Sequence, residues 1–156
     1  MKKSISPLFQ KLNFKNHPAI LALYAPESMS EELAAISAHT PVHTQVAALE
    51  EIAFALVFVT TQETITQTIE AIAPKLVGDA VLWFCYPKGT SKKYRCDFNR
   101  DTGWEVLGQY ELEGVRQVAI DENWSALRFR KVAYIKTLSR TKLKPISESG
   151  RKKAAE

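Results

Sequence analysis

The chain reads as one α/β domain: a mostly parallel sheet with helices on its faces and an antiparallel strand pair at its carboxyl end. Three observations predict this. Ala19 to Ala25, Phe54 to Val59 and Val81 to Tyr86 are unbroken apolar runs, the pattern of strands covered on both faces. Ile65, Ile69, Ile72 and Leu76 recur at helical intervals between the second and third runs, which makes a strand–helix–strand unit. Downstream, Val115 to Ile120 and Ala126 to Ile135 flank the turn Asp121-Glu122-Asn123 and read as two paired strands.

In chain order, residues 1–18 hold a sparse apolar pattern, Leu8, Phe9, Leu12 and Phe14, that fits a short helix or arm against the body. The first strand closes at Pro26-Glu27. Ser28 and Glu31 have capping-box spacing and predict a helix to about Ile36, which His39 to Pro41 breaks. Val42 to Leu49 reads as a second strand, ambiguous with helix from Ala47 onward. Thr60 and Glu63 repeat the capping-box spacing before the clearest amphipathic helix, which Pro74 and Gly78 end. Thr102 and Glu105 predict a short helix carrying Trp104, Val106, Leu107 and Tyr110, stopped by Gly114. In the last strand Arg128 and Arg130 alternate with Leu127 and Phe129, which predicts a half-exposed edge strand.

At 156 residues the chain is long enough for one sizeable core. The domain is expected over 19–137, followed by a basic tail at 138–156 expected to be disordered. Net charge is +4 over the whole chain, yet it divides into −4 over residues 1–127 and +8 over 128–156. Such a tail suits nucleic acid or an acidic protein partner, and equally suits a solvated segment with no dedicated partner. No stretch reaches the length of a membrane span and no signal peptide precedes His17-Pro18, so the expectation is a cytoplasmic protein. Cys85 and Cys96 lack metal or disulfide spacing and read as reduced thiols, Cys85 as a packing residue. His39 and His43 are separated by Pro41, which spoils helical placement of zinc ligands, and no metal is indicated. No glycine-bracketed serine elbow is present.

The candidate site lies after the third apolar run. Lys88-Gly89-Thr90-Ser91-Lys92-Lys93 supplies cations, free amides and hydroxyls, which are what an anion needs, without the spacing of a phosphate loop. Lys88, Thr90 and Ser91 therefore read either as ligands of an anionic small molecule or as a solvated basic turn. Glu27, Thr60 and Lys88 each follow a predicted parallel strand, so all three are expected on one rim, facing a common crevice or serving as caps and an ion pair. Asp121, Trp124 and Arg128 are placed near the same rim. Trp124 would stack on a planar ligand while Arg128 holds an anion, or Asp121 and Arg128 form an ion pair beneath Trp124.

Ala25-Pro26-Glu27, Pro87-Lys88, and Asp121 with Trp124-Ser125 and Arg128 resemble the pattern of a family of small uncharacterised bacterial proteins of the domain-of-unknown-function class. The resemblance spans most of residues 19–135 and implies positions but no activity. The element order also resembles the later half of Rossmann-like methyltransferases, which implies a single three-layer Rossmann-like domain. The turn Tyr24-Ala25-Pro26-Glu27-Ser28 has no glycine with which such enzymes cradle their cofactor, so no cofactor is indicated. Two functions follow: a binding or regulatory module with an anion-binding rim, or a diverged, methyltransferase-like transferase using a nucleotide-like cosubstrate. A homodimer through an apolar helix or edge strand is a further expectation.

Overall fold

In the computed structural model, which describes residues 5–98 and 103–135, a single six-stranded sheet organises the chain. The strands are β1 (Ile20–Leu23), β2 (Val42–His43), β3 (Ile52–Phe58), β4 (Leu76–Pro87), β5 (Leu112–Ala119) and β6 (Trp124–Lys131). The helices are α1 (Pro7–Lys11), α2 (Ser30–Ile36), α3 (Gln62–Ile72) and α4 (Glu105–Gly108). The sheet order is β2-β1-β3-β4-β6-β5; β1 to β4 are parallel, and β6 runs antiparallel to both β4 and β5. The basic tail lies outside the described residues.

Alternation along the central strands splits the core into two clusters. Leu21, Leu23, Val57, Phe84, Leu127 and Phe129 pack with Ile65, Ile69 and Ile72 of α3 and Leu107 of α4. Ile20, Ala22, Phe54, Trp83, Cys85 and Ala126 pack with Leu8 and Phe9 of α1 and Ile36 of α2. Because successive residues from Phe54 to Val59 and from Val81 to Tyr86 meet the two clusters in turn, these strands need apolar side chains on both faces, hence the unbroken runs. Trp83 is fully buried, and its indole N–H donates to the Leu12 carbonyl at 2.8 Å, tying the chain after α1 to the middle of β4.

The path from β1 through α2 steps outward to β2, whereas the path from β3 through α3 steps the other way to β4, and the two helices take opposite faces. That reversal puts a topological switch between β1 and β3, with a crevice expected outside their carboxyl ends.

Several local expectations are corrected. The cap of α3 is Thr61, whose hydroxyl accepts from the Thr64 amide at 3.1 Å, one residue later than Thr60. Ser28 caps nothing, because a 3-10 turn at Glu27–Met29 precedes α2 and Met29 is its N-cap. β2 stops at His43, and a 3-10 turn at Val46–Ala48 replaces the rest of the expected strand. Leu76 begins β4 instead of ending the helix, since Pro74 turns the chain into a 3-10 segment first. β6 is not an edge: it lies between β4 and β5, and β5 is the outer strand.

The position of Arg130 explains that last correction. Between Ile52↔Leu76 and Phe54↔Val81 the register shifts, and the extra β4 residues, with Gly78 at φ +53°, bulge outward. The bulge carries Asp79 to Arg130, which donates from Nε to Oδ1 at 2.8 Å and from Nη2 to Oδ2 at 2.6 Å. An arginine on an inner strand is tolerated because this carboxylate meets it.

Candidate functional site

Past Pro87, β4 gives way to a turn in which the Ser91 amide donates to the Lys88 carbonyl at 2.9 Å. The turn is fastened to the start of β6. The Lys88 amide donates to the Asn123 carbonyl at 2.8 Å, and the Ser91 hydroxyl bonds the Asn123 side chain at 2.8 Å. Asn123 is itself fixed by Asp121, whose Oδ1 accepts from the amides of Asn123 and Trp124 at 2.8 and 2.9 Å. A carboxylate gathering successive amides in this way makes a rigid Asx-type turn.

From Ser91 the chain returns across the sheet edge. The Asp97 amide donates to the Thr60 carbonyl at 3.2 Å, and the Asp97 carboxylate accepts from the first amide of α3, that of Gln62, at 2.9 Å. A carboxylate there suits the positive end of the helix dipole. Between this return segment and the end of β4 lies a cleft of about 780 Å³, with Tyr86, Phe98 and Ser125 in its lining and Lys88 and Arg95 contributing cations. Phe98 and Tyr86 both pack on Trp104, at ring separations of 4.9 and 5.7 Å, so the apolar part of the lining is anchored in the core.

The eight sequence-predicted residues separate into three groups. Lys88, Thr90 and Ser91 line the cleft together. Thr90 is exposed and Lys88 half-buried, whereas the Ser91 hydroxyl is committed to Asn123 and to the Lys93 and Tyr94 amides. Glu27 and Thr60 follow β1 and β3, which run parallel to β4, so both stand at the carboxyl end of the sheet without lining this cleft. Asp121 sits at the same end and organises the turn behind Lys88.

Trp124 and Arg128 do not join them as a stacking pair. Trp124 is only 3% exposed, with its ring 5.2 Å from Phe58 and 4.9 Å from Tyr94, so no face is open to a planar ligand. Arg128 stands opposite Trp83, while Trp124 stands opposite Pro87. Four residues of strand put these two roughly 13 Å apart. The expected Asp121–Arg128 ion pair is therefore replaced by the Asx-type turn at one end of β6 and an arginine midway along it.

Sequence reasoning missed Arg95, Cys96 and Phe98, which lie in a stretch with no periodicity to read. It also passed over Tyr24. This residue directly follows β1, has φ +58°, and is 64% exposed, the most exposed large apolar side chain among the described residues. A tyrosine in the left-handed region stores backbone strain of about 1–3 kcal/mol, and such residues cluster where ligands bind. The available signal was an aromatic residue wedged between an apolar run and Ala25-Pro26.

No family model matches the chain, and no curated protein matches its sequence. Solved structures do match. Magnesium protoporphyrin IX methyltransferase from Synechocystis PCC 6803, solved with bound SAH, is 13% identical with a TM-score of 0.50 over 80% of this chain and 78% of that one. A protein of the NADB-Rossmann superfamily from Streptococcus agalactiae is 12% identical, TM-score 0.48, over 84% of this chain and 70% of that one. An N-methyltransferase from Bradyrhizobium japonicum WM9 is 16% identical, TM-score 0.45, over 72% of each chain.

At these identities the likeness is one of fold, and the fold is Rossmann-like. Such folds hold a cofactor on a glycine turn after the first strand, where the backbone approaches it closely. Here the turn presents the Cβ of Tyr24 and the ring of Pro26, which has no N–H to offer. These residues do not fit an S-adenosyl group held on a glycine cradle.

Proposed function

We propose that this chain binds an anionic, nucleotide-like small molecule at the carboxyl end of its parallel strands and acts as a binding or regulatory module. The observation that carries the reading is the cleft beside β4, whose lining includes Lys88 and Arg95 together with Tyr86 and Phe98. Cations beside a partly apolar lining suit a ligand that is charged at one end and apolar at the other. Lys88 supplies a point charge, Arg95 a fork of donors, and the turn at Gly89 and Thr90 exposed backbone amides. Tyr24 offers an exposed ring on the same rim at the β1/β3 switch, two strands or roughly 10 Å away. The helices α1 and α2 on one face and α3 and α4 on the other act in this reading as the outer layers of a three-layer domain.

The strand order favours a second reading, a diverged transferase whose nucleotide-like cosubstrate occupies the same rim. The Synechocystis protein of like fold carries bound SAH. Because the β1 turn lacks the glycine cradle, a cosubstrate here would lean on Lys88, Arg95 and Tyr24 instead. Fold likeness is an analogy, and activity must be argued from the site.

Thermal denaturation with adenosine diphosphate and with SAH separates the readings. A ligand at a hundred times its dissociation constant stabilises by about 2.7 kcal/mol. Stabilisation by adenosine diphosphate that Lys88→Ala reduces supports the module. Stabilisation by SAH together with methyl transfer from its methylated parent supports the transferase. No stabilisation by either compound removes the nucleotide reading.

A further inference from the structure

A second cluster of cations lies on the opposite face of the sheet, the one covered by α1 and α2. Strand alternation puts Arg128 on the side of Trp124 and Ala126, away from Leu127 and Phe129. Its neighbour across β5 is Arg116, directly opposite in the register. Side chains so placed have Cβ atoms about 4.5–5.5 Å apart, and like charges there repel. Arg130, the next residue on that face, is occupied by Asp79, and buried Glu113 faces Arg130 in the register. Arg128 has neither: its Nε is buried with no hydrogen-bond partner.

The surroundings add positive charge or polar donors. Arg116 reaches the Asn13 side-chain oxygen only at 3.5 Å, and Lys11 reaches the Ala119 carbonyl at 3.4 Å. Burial first, and then the positive charge of Arg128, lower the pKa of the His17 imidazole, whose Nδ1 accepts from the Lys15 amide at 3.0 Å. Burial, then Arg130, and after the opposing pull of Asp79 also Arg116, make the charge on Arg128 harder to hold. An unpaired buried donor costs about 1–3 kcal/mol, and more when it is charged. An oxyanion set against the outer guanidinium nitrogens of Arg128 and Arg116 would relieve that repulsion.

We propose that Arg116 and Arg128 form a binding site for a phosphate-class oxyanion, separate from the cleft at Lys88. Two guanidinium forks on neighbouring strands suit a tetrahedral, doubly charged group better than a planar carboxylate, because they offer donors from two sides. The site does not depend on the nucleotide reading, since the cleft lies at the end of β4 and this pair lies midway along β6.

The test is a titration of the full chain with inorganic phosphate at constant ionic strength set by sodium chloride, following the arginine Nε–Hε resonances. The expected result is a saturable displacement of the Arg128 resonance, weakened about tenfold or more in Arg116→Gln. Arg116 is exposed, so that variant keeps the fold. Arg128→Met is expected to abolish the phosphate-induced displacement of the Arg116 resonance. A displacement equal to that from chloride alone, or one confined to the amides of residues 89–91, overturns the proposal.

Discussion

Arg130 grips both carboxylate oxygens of Asp79, and no second carboxylate among the described residues pairs with Arg128 on the same face. The pair spans the β4 bulge and β6, so it holds two parts of the sheet that are 51 residues apart. The bond to Arg130 holds the Asp79 carboxyl below its ordinary value of 3.8. A carboxyl depressed in the folded state contributes stability that is complete above its ordinary value and is lost as pH falls through the depressed one.

Asp79→Asn is therefore expected to cost about 0.5–1 kcal/mol near neutral pH, since both partners are about one-third exposed. The cost should vanish in strong acid, where the wild-type carboxyl is protonated too. Urea unfolding of both proteins across the acid range measures it; a deficit that persists unchanged below pH 2 contradicts the assignment.

His17 is held below its ordinary value of 6.5, first by burial and then by Arg128. Its contribution to stability is complete above 6.5 and declines as pH falls through the lower folded value. Proton NMR of the imidazole is expected to show a midpoint below 6.5, moved upward but not fully restored in Arg128→Met. An unchanged midpoint in that variant would mean that the two groups do not face each other.

Asp121→Ala removes the acceptor shared by the Asn123 and Trp124 amides and is expected to destabilise by about 1.5–3 kcal/mol. Because Asn123 holds Lys88 and Ser91, the same variant should loosen the turn at residues 88–91. Faster amide exchange at Lys88 and Ser91 is the readout, while exchange within α1 stays as it was.

Gly103 has φ +98°, and a Cβ there would collide with the Cβ of Phe98. Gly103→Ala is expected to cost more than about 1 kcal/mol, from backbone strain as well as overpacking. Phe98 lines the cleft, so Trp104 fluorescence should shift along with the stability.

Much of the fold was legible because parallel strands covered on both faces leave a plain mark: Phe54 to Val59 and Val81 to Tyr86 have no polar residue to mislead. α3 was legible from Ile65, Ile69 and Ile72. The identity of the edge strand was not, because Arg128 and Arg130 look like solvent-facing residues until a bulge elsewhere in sequence brings Asp79 to one of them. The cap of α3 slipped by one residue since Thr60 and Thr61 are chemically alike and only backbone geometry separates them. The break after an apolar run marked Lys88 and Thr90 as candidates, and both line the cleft. Arg95 and Phe98 were invisible, being placed by Asp97 folding back onto Gln62, a contact with no local signature.

Amide chemical-shift mapping with adenosine diphosphate decides whether the cleft beside Lys88 receives an anionic, nucleotide-like ligand. Saturable displacements are expected at Gly89, Thr90 and Arg95, weakened about tenfold in Lys88→Ala. Resonances at those residues that stay fixed at millimolar ligand, in a chain shown to be folded, would contradict it.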